Sequence, residues 1–262
     1  MSNRVPPGPV FPALNVVIGQ IIKSRSLSPM QFLSYFPPFG DLSYWGFGGR
    51  QMYFLNHPDL IHQVLVEKAA DYRKNELTQR GLRPFLGAGL LLSEGELHRQ
   101  QRKLMQPAFH SRRIDSYAQL MVEHTAKVLA GWQVGQELDV AAELMKLTLT
   151  IVGRTLLGVD ISGNAPRIGE LVTTMLRFAD RMSRQLVYLP EWLPTAQRRQ
   201  VKRTVAELHA LMGKIIAERR TSGVDHGDLL SMLLLTRDES GAGMSDAQVC
   251  DEALTMVLAG HE

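Results

Sequence analysis

The chain has 262 residues, 45% of them hydrophobic and 21% charged, which supports a sizeable packed core and excludes a disordered polymer. Its formal net charge of +3 is too small to argue for nucleic acid without a concentrated basic patch, and one cysteine excludes an internal disulfide framework. No apolar run reaches the roughly 18 residues of a membrane span, and Pro and Gly interrupt the N-terminus before any signal-peptide core forms, so a soluble cytoplasmic protein is expected.

Residues 1–40 read as a stiff Pro-rich lead-in, with Pro6-Pro7-Gly8-Pro9 at its start, and a first helix. Within 41–55, LSYWGF and RQMYFL are strand-like runs joined across Gly48-Gly49, a hairpin signal. Asn56-His57-Pro58-Asp59 opens a helix with Leu60, Ile61, Val64 and Leu65 on one face. Residues 75–92, rich in Gly, Arg and Leu and containing Pro84, read as a mobile loop. Ser93-Glu94-Gly95-Glu96 has the form of a capping box and starts a helix that Pro107 stops.

From Ile114 to Trp132, Ile114, Tyr117, Met121, Val128 and Leu129 recur at helical spacing. Further helices are expected over about 140–157, 166–184, 196–220 and 228–237. A second capping box, Ser245-Asp246-Ala247-Gln248, begins the last helix, whose apolar stripe is Val249, Ala253, Leu254, Val257 and Leu258. With no internal repeat and no long linker, 1–262 reads as a single domain, mainly α with a small β-sheet element (α+β), helical over 56–262.

Two stretches carry chemistry. In GELHRQQRKLMQPAFH, His98 and Arg102 are four residues apart and share a helix face, with Arg99 and Lys103 in the adjoining column. Such a face can grip a compact dianion, because Arg presents a planar fork of donors to a carboxylate or phosphate. A solvated basic face is the plain alternative, and no aromatic residues are interleaved to stack on bases.

The second stretch is the terminal LAGHE. Gly260 within a helix costs about 1 kcal/mol relative to Ala, which marks either a close approach of something bulky or a helix end. His261-Glu262 also matches the first half of the zinc-protease pattern H-E-x-x-H. An acid at the negative end of an uncapped helix is unfavourable, so the natural chain is expected to continue beyond it.

Together these stretches resemble the cytochrome P-450 family of haem-thiolate monooxygenases, in the family's order and over nearly the whole chain. PPGP is similar to its Pro-rich lead-in, GGRQMYFLNHPDLIHQVL to its first hairpin and helix, and GELHRQQRKLMQPAFH to its haem-contacting helix. DLLSMLL and DESGAGMSDAQVCDEALTMVLAGHE resemble the approach to its long central helix, the most specific of these matches and one that makes the zinc pattern improbable.

The resemblance implies a haem (heme) cofactor with His98 and Arg102 on a propionate, His standing where the family more often has Trp. It places Ala259 and Gly260 against the haem face and gives Glu262 the acid position of Ala-Gly-x-Glu/Asp-Thr, where a carboxylate can relay protons. Cys250 lacks the loop that surrounds the family's axial thiolate, so the iron ligand is expected outside this sequence, and this chain alone is expected to be inactive. The implied activity inserts one oxygen atom of O2 into a hydrophobic organic substrate such as a fatty acid, alkane or terpenoid, with electrons from a redoxin or reductase. Phe85, Leu90, Leu92, Phe178 and Met182 are candidate substrate-facing residues, or ordinary core. A helical binding or scaffold module, or a degenerate chain without haem, is the alternative.

Overall fold

Leu42–Phe47 (β1) and Arg50–Leu55 (β2) pair antiparallel, in a register running from Leu42 opposite Leu55 to Phe47 opposite Arg50. Both strands fall where the alternating runs place them. The computed structural model describes residues 6–8, 33–47, 50–184, 195–237, 241 and 243–261; the expected first helix before residue 33, the Gly48-Gly49 turn and Glu262 lie outside the described residues. The chain divides into two compact units, Met1–Arg73 and Lys74–Glu262.

In the first unit the hairpin is followed by α1, Pro58–His62, a short helix whose His57 ring nitrogen accepts the Asp59 N–H at 3.3 Å. A wider helical turn, Gln63–Glu67, continues it. Phe36 stacks on Phe54 with ring centroids 5.1 Å apart, and the Pro7 carbonyl accepts the Tyr44 N–H at 3.0 Å.

The second unit is helical: α2 Glu76–Leu86, α3 Gly95–Met105, α4 Ser111–Ala130, α5 Val140–Leu156, α6 Ala165–Arg184, α7 Ala196–Ser222, α8 Leu229–Leu235 and α9 Asp246–Gly260. Its core draws Phe85 and Leu86 from α2, Leu149 from α5, Ile168 and Met175 from α6, Met212 from α7, Leu230 and Leu233 from α8, and Val249 and Ala253 from α9. Full burial of each large apolar side chain is worth about 1.5–3 kcal/mol, so interhelical burial, more than helix propensity, fixes this arrangement. The result is mainly α with a small antiparallel sheet. Among the described residues no helix is long and apolar enough to cross a membrane.

Two expectations are corrected here. The stretch 75–92 is not a loop throughout: its first part is α2, with Pro84 inside the helix. Leu82, Phe85 and Leu86 are buried on one face of α2, and Gly81 lies so close to Ala179 of α6 that a Cβ would sit 3.1 Å from the Ala179 Cα. That burial outweighs the Gly and Pro signals, which report only local preference.

The capping box at 93–96 does not form either. Helix α3 starts at Gly95, its N-cap Glu94 makes no side-chain cap, and Glu96 turns to Arg99 instead. The Glu94 carboxylate accepts the Lys74 backbone N–H, a long-range contact that no local pattern announces. The second box does form: Ser245 accepts the Gln248 N–H and the Gln248 side chain accepts the Ser245 N–H at 2.9 Å.

Candidate functional site

The basic column on α3 is divided by its partners. Arg99 is mostly exposed and bonded to Glu96, Nη2 to carboxylate at 2.7 Å and Nε at 3.1 Å. Arg102 and His98, one turn apart on the same face, make no side-chain hydrogen bond or ion pair among the described residues. Lys74 stands beside them, its ammonium donating to the Leu90 carbonyl at 3.1 Å and the Ser93 carbonyl at 2.7 Å. Burial first, then the charges of Lys74 and Arg102, hold the His98 imidazole below the usual histidine range. This face therefore presents an Arg fork with no partner among the described residues, beside a histidine held below its usual range.

The other side of α3 joins this face to α9. Gln101, buried, donates its amide to the Ala88 carbonyl at 2.7 Å. The Ala88 N–H donates to the Asp251 carboxylate at 2.9 Å, and the Leu90 N–H to the Glu252 carboxylate at 2.9 Å. Two adjacent acids on α9 therefore hold the backbone of the 87–94 loop. Gly87, with φ of 53°, and Gly89 permit the approach: a side chain at 87 would strike the Asp251 carboxylate, and one at 89 the Thr255 hydroxyl.

The far end of α9 is tied to α5. The Thr148 hydroxyl donates to the His261 carbonyl at 2.7 Å, and His261 Nδ1 lies 2.8 Å from the Leu258 carbonyl, which assigns the proton to that nitrogen. Gly260 faces Val152, whose methyl group occupies the place a Cβ would take. What needs glycine at 260 is thus a protein neighbour, while Ala259 is exposed.

Cys250, on the same helix, is a buried neutral thiol with Sγ 3.8 Å from His209 Nδ1. Burial first and Asp251 second push its pKa up to about 11, the reverse of what a thiolate ligand requires.

The apolar candidates are partly brought together. Phe85 has no exposed surface and meets Phe178 of α6 edge to face, with centroids 5.8 Å apart. Leu92 is buried and Leu90 partly so at the loop held by α9, while Met182 is half-buried near the end of α6. Sequence reasoning missed Lys74, Gln101, Asp251 and Glu252. The available signal was the pair Asp251-Glu252 near the start of an otherwise apolar helix, set against Gly87-Ala88-Gly89.

Comparison with known proteins matches the sequence model of the family described as Cytochrome P450 to residues 6–262. Cyclooctat-9-en-7-ol 5-monooxygenase of Streptomyces melanosporofaciens is 34% identical over 89% of the chain and 51% of its own length. Cyclooctatin synthase of the same organism is 35% identical over 89% of the chain and 51% of its length. Pentalenene oxygenase of Streptomyces avermitilis is 31% identical over 89% and 52%. The chain spans about half the length of these relatives.

Proposed function

We propose, because the chain belongs to the cytochrome P450 family, that it serves a haem-dependent monooxygenase acting on hydrophobic substrates of the terpenoid class. The observation that carries this reading is the unpaired His98–Arg102 face of α3. Its donors fit the carboxylate edge of a haem, whereas Arg99, closed onto Glu96, is left for solvent or a docking partner. Bound haem iron supplies the activation of O2, with electrons from a redoxin or reductase. Cys250 does not supply the thiolate.

The chain's own residues bind, orient and exclude water. Arg102 donates its fork to a propionate oxygen, and His98, once an anion is seated beside it, regains its proton and donates as well. Leu90 at the loop that α9 holds, and Phe178 and Met182 of α6, are half-buried and offer apolar surface to substrate, whereas Phe85 and Leu92 are buried and support them from behind; Ala259 and Gly260 on α9 are the residues proposed to lie toward the haem. The names of the three relatives above, with a cyclooctatenol and pentalenene among them, favour cyclic terpenoids over fatty acids or alkanes.

The test is to supply the haem-loaded full-length protein that contains this chain with a redoxin, its reductase and ¹⁸O₂, and to examine products from cyclic terpene hydrocarbons and from fatty acids by mass spectrometry. One labelled oxygen in a terpene product is expected. Label only in water with every substrate contradicts the monooxygenase reading, and label only in fatty acids contradicts the substrate class.

Glu262 is proposed to pass protons from solvent toward the reacting oxygen through its carboxyl group. Glu262→Gln keeps shape and hydrogen bonding but cannot carry the proton. Normal haem content and substrate binding are expected, with slower turnover and more reducing equivalents lost as peroxide or water. Unchanged coupling together with lowered thermal stability assigns Glu262 a structural role instead.

A further inference from the structure

Glu252 is a fully buried acid that uses only half of its carboxyl group. Oε2 accepts the Leu90 N–H at 2.9 Å, whereas Oε1 is buried and has no hydrogen-bond partner. It sits among buried apolar residues of α9, Val249, Ala253 and Leu254, at the contact with the 87–94 loop. A neutral carboxyl group costs less there than a carboxylate: Oε2 accepts the Leu90 N–H as the carbonyl oxygen, and the proton on Oε1, which has no acceptor among the described residues, costs one unmade hydrogen bond in place of a buried charge. A carboxylate is costlier, because its second oxygen would carry charge with no donor beside it among the described residues.

The charged and titratable groups named near it lie on α9, on α7 and around the loop, and of these Asp251 is the one that acts on its carboxyl group. Asp251 on its own helix binds Ala88, and His209 on α7 faces Asp251 and Cys250. Lys74 holds the Leu90 and Ser93 carbonyls on the loop's other side, and Glu94 accepts the Lys74 N–H. Among the described residues the only donor at Glu252 is the Leu90 N–H.

We propose that Glu252 is a positioning residue for the 87–94 loop, holding it when neutral and loosening it when ionised. One buried proton then sets where Leu90, Leu92 and the start of α3 lie. The consequence for substrate and haem rests on the reading above; the loop latch itself does not.

Burial, with a smaller contribution from Asp251 and opposed by the Leu90 N–H, pushes the Glu252 carboxyl up to about 7. The closed loop binds the proton more tightly than the open one, so closure is favoured at low pH and is lost as pH rises through about 7.

Amide hydrogen exchange at Ala88 and Leu90, expressed as protection factors and corrected for intrinsic exchange, reads the latch without turnover. Protection at Leu90 is expected to fall about tenfold between about pH 6 and pH 8 in the unaltered protein. Glu252→Gln, a mimic of the neutral acid, is expected to keep the protection and abolish its pH dependence, and Asp251→Asn to keep the pH dependence. Protection at Leu90 that does not change with pH in the unaltered protein overturns the proposal. So does a pH dependence that survives Glu252→Gln and disappears in Asp251→Asn. Because no substrate or electron donor is present, failure here leaves the monooxygenase reading standing, and an inactive enzyme leaves the latch standing.

Discussion

Arg219→Ala is expected to lower the stability of the helical unit by about 3–5 kcal/mol, the range for removing one partner of a buried ion pair. Arg219 and Asp228 are almost fully buried, their side chains 6% and 5% exposed, with Nη1 2.7 Å from the carboxylate. The same guanidinium donates to the Ser231 hydroxyl at 2.6 Å and to the Leu157 carbonyl at 2.9 Å. Three elements meet there: the end of α7, the N-cap of α8 and the end of α5. Asp228 also caps α8, accepting the Ser231 N–H at 2.7 Å.

Removing the arginine leaves the Asp228 charge unpaired, with Oδ2 and the Leu157 carbonyl buried without their guanidinium donors, which costs far more than the attraction itself contributes. Urea unfolding of the variant beside Arg167→Ala checks the magnitude. Arg167 is also paired, with Glu207 at 2.6 Å, but its side chain is 53% exposed, and exposed pairs contribute only about 0–1 kcal/mol. Losses of similar size in the two variants would contradict the role assigned to burial.

The second large effect concerns haem retention. Arg102→Ala is expected to weaken it by roughly 10- to 150-fold, the equivalent of the ~1.5–3 kcal/mol carried by a hydrogen bond to a charged group. Arg99→Ala is expected to leave retention within about twofold, because Arg99 is exposed and already satisfied by Glu96. The rate of haem transfer to apomyoglobin measures both. Equal loss in the two variants removes Arg102 from the propionate. Slower electron delivery in Arg99→Ala without haem loss marks the outer column as a docking face.

Local signals carried much of the fold. The two strands, the Ser245 cap and helices α5 to α9 fall within a few residues of the pattern read from the sequence, because most carry an apolar stripe or run and have their own start or stop residue. Helix α2 was illegible because Gly81 and Pro84 advertise a break, while the burial of Phe85 and Leu86 against distant helices decides the outcome.

The site divides in the same way. His98 and Arg102 are visible from spacing alone, since a face four residues apart is a local property. That Arg99 is closed and Arg102 open depends on which neighbours lie in reach. Asp251 and Glu252 act on residues more than 160 positions earlier in the chain, and no periodicity announces such a contact. Gly260 signalled either a close approach or a helix end, and the structure sets Val152 of α5 against it.

On the reading proposed above, the face of His98 and Arg102 takes the carboxylate edge of a haem. This is tested most directly by following the His98 imidazole by nuclear magnetic resonance as pH is varied, in the protein without porphyrin and with diamagnetic zinc protoporphyrin IX. The free protein is expected to show His98 titrating below the usual histidine range, as burial and the flanking cations dictate. Zinc protoporphyrin IX is expected to raise it clearly, and its dimethyl ester, which lacks free carboxylates, is not. A His98 titration that is the same with the free acid, the ester and no porphyrin would contradict the account.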